Sequence, residues 1–516
     1  MQLPALRAAR RLGLRVIVAD GNHDAVGRDE ADEFLHVDLK DHLEMTRAAT
    51  AIRSQRGLDA VFTAGTDFSA TVAYVAQELG LPGTRYEAAL NATNKYRMRQ
   101  VLRDAGVSVP DFAIVTREEL DQSGCERPRR SVSLPVVIKP ADSMGARGVV
   151  RADDWADAEA FARDALAFSR SGSVVVEGYI DGPEFSLDAI VYGDDIQVTG
   201  FADRHICFPP YFIEMGHTLP TVVDMAEQKA IIRELERAIK ALGIGPGAAK
   251  GDVKLSASGV VIGEVAARLS GGYMSGWTYP LATGVPLSEI AIRVALGEPP
   301  QRATPRWSKT SAERAVISIP GVLREIRGAD VARSMRGVEE VFVTRSAGTR
   351  MSFPRSNVEK VANVIAVSED RGGAVRAAEA AVRAIEPVLA AGDAETDRFV
   401  FASAGLPPEY RHWAFPALAD TATDLLPVWR RMLAAGPVPV IELAIPSGIE
   451  KLAERDWAYR TVQQTLDALC ADGRVRARAI SKCGRPDARS RILLRAIAKG
   501  GLQAGAYVVD SLTGGG

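Results

Sequence analysis

The sequence predicts a multidomain α/β protein, and three observations lead there. Its 516 residues correspond to three or four domains at roughly 150 residues each. Strand and helix patterns alternate through residues 1–90, as in a parallel sheet with crossover helices. Short apolar strands then recur between helices up to residue 402, after which the chain turns aromatic and proline-rich, and finally helical and basic. Apolar residues make up 47% and charged residues 25%, enough to bury ordinary cores.

Taken in order, Leu3 to Leu12 is helical by spacing. Arg15-Val-Ile-Val-Ala-Asp20 and Glu33-Phe-Leu-His-Val-Asp38 are strands, and a polar helix follows near 41–55. Ala60-Val-Phe-Thr-Ala-Gly65 is a third strand with a helix near 67–80. Such folds open with a central strand and a glycine turn ahead of the first helix. Here the chain starts inside that helix, so the strand is either upstream or lost. Residues 91–182 hold a helix opening at Asn91–Lys95, a break at Gly106–Pro110, strands at 112–115, 135–139 and 173–177, and an exposed loop from Gln122 to Ser133. Residues 184–300 mix strands and helices, with glycines clustered at 269–276, and 299–310 reads as a linker. Ala315–Ile319 and Asn363–Val367 are strands around a helix at 373–390. Beyond 403, Asp456–Leu469 is an amphipathic helix and Gly473–Ile480 a strand after a tight turn, an order like that of a winged helix.

The net charge of −2 gives no pull toward nucleic acid or anionic membrane. Cys125, Cys207, Cys470 and Cys483 form no CxxC pair, which suits a reducing cytoplasm. No leader opens the chain and no uninterrupted apolar run reaches about 18 residues, so a cytoplasmic protein with no membrane partner is expected. From Cys470 to Gly516 nine Lys/Arg stand against three Asp/Glu. That excess reads as a solvated face or a dimerisation module before it reads as a nucleic-acid contact, and a homodimer is expected.

Chemistry concentrates in four stretches. Lys139 ends the apolar strand Pro135-Val-Val-Ile-Lys-Pro140, which extends a point charge from a rigid element and suits a phosphate. Alone it reads equally as an edge-strand solubility device. Asp142-Ser-Met-Gly-Ala-Arg-Gly148 follows directly, a small-residue loop whose backbone N–H groups can close over phosphate oxygens. It is no Walker loop, for GKS/T is missing. Val174 to Glu184 runs as a strand to Glu177, through Gly178-Tyr179-Ile180, and back by Asp-Gly-Pro to Glu184. It is either an adenine slot with a carboxylate for the ribose or a hairpin with surface acids. Gly251-Asp-Val-Lys254 and Gly259-Val-Val-Ile-Gly-Glu264 are strands joined by a turn, which sets Asp252 beside Glu264. Such paired oxygen ligands suit Mg²⁺, although an acid pair on a hairpin is more often just solvated. Arg268 lies four residues on, where it could stabilise charge on a transferred phosphoryl group.

In this order the set resembles the ATP-grasp superfamily over residues 1–400, most closely the carboxylate–amine ligase branch that includes L-amino-acid ligases. Biotin carboxylase and carbamoyl-phosphate synthetase are more distant relatives. The resemblance implies two α+β lobes clasping ATP. A truncated Rossmann-like domain at 1–92 precedes the ATP-grasp domain at 93–300, whose 112–182 lobe is a mobile lid. Residues 301–402 complete the module and 403–516 form a helical, winged-helix-like accessory domain. It further implies that Lys95, 44 residues before Lys139, contacts the ATP phosphates with it, under the loop carrying Ser143 and Gly145. Glu177, Tyr179 and Ile180 hold adenine, and Glu184 the ribose. Asp252 and Glu264 bind one or two Mg²⁺, with Mn²⁺ an alternative, and Arg268 faces an acyl phosphate. Three departures stand out: the missing first strand, Asp252 where many relatives have glutamate, and Ala266 where many have an asparagine completing the metal shell.

The implied reaction joins a small carboxylate to an amine through an acyl phosphate, with ADP and phosphate released. Substrate contacts are expected from Arg204–Pro220, with Glu214 pairing a substrate amino group and His217 and His205 as lesser candidates, or from residues that merely shape a loop. Gly271 and Gly272 leave room beside Arg268, and Trp277 and Tyr279 wall a pocket or belong to the core. A carboxylase or purine-pathway enzyme would share the nucleotide site, although no Met-Lys-Met carrier motif is present. A degenerate nucleotide sensor or scaffold is the alternative of another class, disfavoured by Lys95, Lys139, Glu264 and Arg268.

Overall fold

In a computed structural model, described over residues 2–480 and 486–514, the chain divides into two compact units. Cys483 lies outside the described residues. The first unit comprises 1–206, 216–313 and 367–374, and the second 207–215, 314–366 and 375–516.

In the first unit the helix Leu3–Arg11 leads into two parallel strands, Ile17–Asp20 and Glu33–His36. The expected third strand at 60–65 does not form. Gln2 instead supplies the contacts: its Oε1 accepts from Ala64 N at 3.0 Å, and its Nε2 donates to Thr63 Oγ1 at 2.9 Å. A side-chain amide thus takes the place of a ladder. The helices His42–Arg56 and Ser69–Glu78 form where expected.

Four strands then build a small antiparallel sheet in the order Phe112–Thr116, Ser173–Gly178, Val136–Pro140, Val150–Ala152. One face is sealed by an alanine-rich helix, Trp155–Ala165, whose Ala158, Ala162 and Ala165 are buried with Val136, Ile138, Val174 and Val176. The expected exposed loop at 122–133 carries a short helix, Glu126–Arg129, and buries Cys125, Pro128 and Val132.

A second sheet runs Gly259–Ala266, Gly247–Ser256, Glu184–Tyr192, Asp195–Cys207, Ile213–Leu219. The amphipathic helix Met225–Leu242 lays Ile231, Leu235, Ala238 and Ile239 on it, against Leu187, Ala249, Val253 and Ile262. Burying each such side chain contributes about 1.5–3 kcal/mol, so this face anchors the acidic hairpin beside it.

In the second unit, Ala362–Ser368 pairs with Val338–Val343. The strand at 315–319 is observed as Thr310–Val316. The helix expected at 373–390 stops at Ala384, and Glu386–Leu389 is a strand. Pro387 cannot donate a helical hydrogen bond and disfavours helix in the residue before it.

The amphipathic helix expected from Asp456 begins only at Val462, because Thr461 and Gln464 form a capping box there. It connects Ile441–Pro446 to Val475–Ile480, which pair in parallel. This is a βαβ crossover. A winged helix would need an antiparallel hairpin, so that expectation is corrected.

The last helix, Ala488–Thr513, is long and apolar enough by length and composition to cross a membrane, yet 83% of its apolar window is buried inside the protein. Arg491, Arg495, Lys499 and Asp510 interrupt its apolar run. It breaks at Gly500–Gly501, where Gly501 has φ +61°. The freed carbonyls of Ala498 and Lys499 accept from Phe415 N at 2.9 Å and Ala414 N at 3.2 Å.

Candidate functional site: a cationic cluster facing an acidic hairpin

The site is built from the first unit. Asn94 caps the helix Lys95–Asp104, accepting from Tyr96 N and Arg97 N, which fixes Lys95 at its first turn. Arg99 lies one turn further on the same face. Lys95 N donates to Ala141 O at 2.8 Å, its Nζ donates to Ser143 O, and Glu264 Oε1 is 3.7 Å away. The helix start, the 142–148 loop and the acidic hairpin therefore meet at one lysine. The loop is held from behind by Asp142, which accepts from Ser169 Oγ, Arg170 N and Ser171 N at 2.8–3.0 Å. Gly145 sits in the loop at φ +68°.

Lys139 and Glu177 lie diagonally on one face of the small sheet, because Val137 is the direct partner of Glu177. Lys139 Nζ donates to Glu177 Oε2 at 2.6 Å. Arg99 grips the same carboxylate from below, Nε to Oε1 at 2.8 Å and Nη2 to Oε2 at 3.1 Å. Burial pushes the Glu177 carboxyl up, but the two cations outweigh it and lower it to about 2. Both side-chain oxygens of Glu177, the residue expected beside adenine, are engaged by Arg99 and Lys139.

Tyr179 N donates to Pro135 O at 2.9 Å, and its ring lies 4.4 Å from the Arg151 guanidinium carbon and 5.3 Å from Lys254 Nζ. Ile180 O accepts from Lys254 Nζ at 3.0 Å. Glu184 is paired with Arg204 and, at 3.7 Å, with Lys254.

On the hairpin, Asp252 and Glu264 are direct cross-strand partners, as the spacing predicted. Their surroundings differ. Asp252 is 3% exposed and accepts from Ser186 Oγ at 2.8 Å, from Lys250 Nζ, and from Arg204 at 3.0 Å. The Glu264 side chain is 39% exposed. Desolvation raises its carboxyl, yet Lys95, Lys250, Arg268 and Lys139 overcome that and lower it to about 2. Lys139 and Glu264 thus share one electrostatic neighbourhood.

Arg268 donates to Leu269 O at 2.8 Å, and its charge reaches Glu264, Asp67 and Asp188. The loop behind it is pinned by Asp188, fully buried, which accepts from Ser270 N at 2.7 Å and Ser270 Oγ at 2.6 Å. Burial raises Asp188 to about 6. Gly65 packs so closely here that a Cβ on it would stand 2.8 Å from Gly271 Cα. Gly272 takes φ +58°. Trp277 stands edge-on to Tyr273 at 5.4 Å. Tyr279 is 2% exposed among Leu269, Met274 and Leu287, so it is core and not a pocket wall.

His217 Nδ1 lies 2.9 Å from Glu313 Oε2, both buried, and His205 Nε2 lies 2.9 Å from Thr218 Oγ1. Glu214 belongs to the second unit, where its N–H donates to Asn357 Oδ1 at 2.8 Å and Lys360 is 3.8 Å from its carboxylate.

Arg99, Lys250, Asp67 and Asp188 were not anticipated from the sequence, and Arg204 was named only as the start of the expected substrate stretch. Two carried signals: Arg99 is i+4 from Lys95, and Lys250 is i+2 from Asp252 on one strand. Asp67, whose carboxyl burial raises against the field of Lys95, and which pairs with Arg170 at 3.5 Å, had none.

A helix-borne lysine, a strand-borne lysine, a small-residue loop and an acid pair thus meet in one part of the first unit. Residues 92–272 match the ATP-grasp domain, 6–83 the ATP-grasp N-terminal domain, and 315–390 the L-amino acid ligase C-terminal domain 2. The chain belongs to the ATP-grasp superfamily. Within it, the chain is L-amino acid ligase-like and carries the C-terminal domain of those enzymes. An uncharacterised protein of Sinorhizobium fredii is 27% identical over 74% of this chain and 79% of its own length. Carnosine synthase 1 of Gallus gallus is 28% identical over 58% of this chain, which spans only 34% of that protein. The L-amino acid ligase of Bacillus licheniformis superposes with a TM-score of 0.66 at 21% identity, covering 75% of this chain and 95% of that one, a likeness of fold.

Proposed function

We propose that the protein is an ATP-dependent carboxylate–amine ligase that activates a small carboxylic acid, of the amino-acid class, as an acyl phosphate and joins it to an amine. The observation that carries this reading is the gathering of Lys95, Lys139, Lys250 and Arg268 around the ionised Glu264, with Asp252 opposite. The cations complement a triphosphate, and the acids fit a magnesium ion. Glu264 offers an ionised, partly exposed carboxylate. Asp252 is already engaged by Ser186, Lys250 and Arg204, although a carboxylate accommodates about four donors or ligands. Magnesium, when bound, would neutralise phosphate charge there.

In this reading Lys95 and Lys139 orient the phosphates, the 142–148 loop covers them, and Tyr179 and Ile180 flank the base. The 112–182 lobe excludes water that would hydrolyse the intermediate. The substrate carboxylate attacks the γ-phosphorus as ADP departs, and Arg268 stabilises the charge at the acyl phosphate. The amine then displaces phosphate, losing one proton. The matching ligase domain at 315–390 and the similarity to carnosine synthase support an amino-acid substrate. Free thiols at Cys125, Cys207 and Cys470 accord with the cytoplasm.

The test is incubation of the protein with Mg-ATP and pools of amino acids and other carboxylates. Pool-dependent release of ADP and phosphate is expected, with an amide product by mass spectrometry. Release of AMP and pyrophosphate, or pool-independent turnover, would overturn the reading.

A further inference from the structure

Glu177 is the hub of a three-charge array: it accepts from Lys139 Nζ at 2.6 Å and, through both oxygens, from Arg99 at 2.8 and 3.1 Å. The Arg99 and Glu177 side chains are 2% and 3% exposed, whereas that of Lys139 is 19% exposed. Arg99 Nη2 also donates to Gly263 O at 2.6 Å, the residue before Glu264.

We propose that Arg99 is a positioning residue: by neutralising Glu177 it keeps the positive charge of Lys139 uncompensated for phosphate, and it ties that lysine to the strand carrying Glu264. The inference rests on the nucleotide-site reading above. A lysine paired one-to-one with a buried carboxylate presents little net field to an incoming anion. With Arg99 present the array carries one net positive charge, at its most exposed end. A guanidinium suits the buried position because it stays charged and grips a carboxylate with two parallel bonds, while Nη2 also reaches Gly263 O; Nη1 is buried without a hydrogen-bond partner among the described residues. The bond to Gly263 O adds geometry: a single planar group links the strand end that presents Glu177, the partner of Lys139, to the ladder that presents Glu264.

The experiment measures binding of MgADP and of adenosine by calorimetry to the full chain and to three variants. Arg99→Met should weaken MgADP binding about 10- to 100-fold, the worth of a charge-assisted contact, and leave adenosine binding within a factor of two to three. Arg99→Lys, which keeps the charge but not the two-pronged grip or the bond to Gly263, should lose clearly less MgADP affinity than Arg99→Met. The double variant Arg99→Met/Glu177→Met removes the buried pair together, leaves Lys139 alone, and should regain most of what the single variant lost. Equal losses for MgADP and adenosine, an Arg99→Lys variant as weak as Arg99→Met, or no recovery in the double variant would each overturn the proposal. Absence of MgADP binding by the unaltered chain would instead overturn the nucleotide-site reading itself.

Discussion

Asp252 and Glu264 face one another across the hairpin ladder, yet one is buried among Ser186, Lys250 and Arg204 and the other stands 39% exposed. Register makes them a pair, and their neighbours give them different consequences when removed. Asp252→Ala leaves Lys250 buried without the carboxylate it bonds, which costs about 3 kcal/mol, while Arg204 keeps Glu184. Glu264→Ala should cost under about 1 kcal/mol. Both should abolish magnesium-dependent nucleotide binding. Urea unfolding beside MgADP titration separates the two effects, and equal destabilisation by both substitutions would contradict the asymmetry.

Lys139→Met removes the charge nearest the solvent and leaves Glu177 to Arg99. Nucleotide affinity should drop at least about tenfold, while thermal stability changes little because the Arg99–Glu177 pair persists. A Lys139→Met protein with unaltered activity would show that the phosphates lie elsewhere.

The dependence of stability on pH has two windows of opposite sign. Asp188 is raised from 3.8 to about 6 by burial, so the folded state holds this proton more tightly than the unfolded chain. The resulting stabilisation is complete below 3.8 and is lost as pH rises toward 6. Glu177 is lowered from 4.5 to about 2, because Arg99 and Lys139 overcome its desolvation. Its contribution is present above 4.5 and lost as pH falls toward 2. In urea titrations across this range, Asp188→Asn should abolish the decline between 3.8 and 6 and leave the acid-side loss intact.

Gly501 supports a sharper test of the second unit. Its φ of +61° and a would-be Cβ contact of 2.6 Å with Asp456 Oδ2 both oppose a side chain. Gly501→Ala should lose about 1–2 kcal/mol from the backbone alone, read as a lower melting temperature. A neutral result would mean that the helix break tolerates an ordinary residue.

What could be read from the sequence was local. Lys139 at the end of an apolar strand, the small-residue loop after it and the Asp252–Glu264 register all follow from patterns within a few dozen residues. The identity of the Glu177 partner did not, because Arg99 lies 78 residues away in sequence and the helix that carries it says nothing of what it grips. The third strand at 60–65 looked like its two predecessors, but Gln2 supplies the partners a neighbouring strand would have given. The helix at 373–390 carried its own stop signal in Pro387. The winged-helix reading failed because helix-then-strand order does not fix strand direction; the parallel pairing of Ile441–Pro446 with Val475–Ile480 depends on a strand well upstream.

The break at Gly500–Gly501 makes the tail of the chain a keystone. Ala498 and Lys499 hand their carbonyls to Phe415 and Ala414, Lys499 Nζ donates to the carbonyls of Tyr410 and His412, and Leu502, Tyr507 and Val508 pack with Phe401, Trp429 and Ile441. Trimming the last fifteen or so residues would therefore not prune a loose end: it would take away Leu502, Tyr507 and Val508 and unroof aromatic side chains such as Phe401 and Trp429, roughly eighty to a hundred positions earlier.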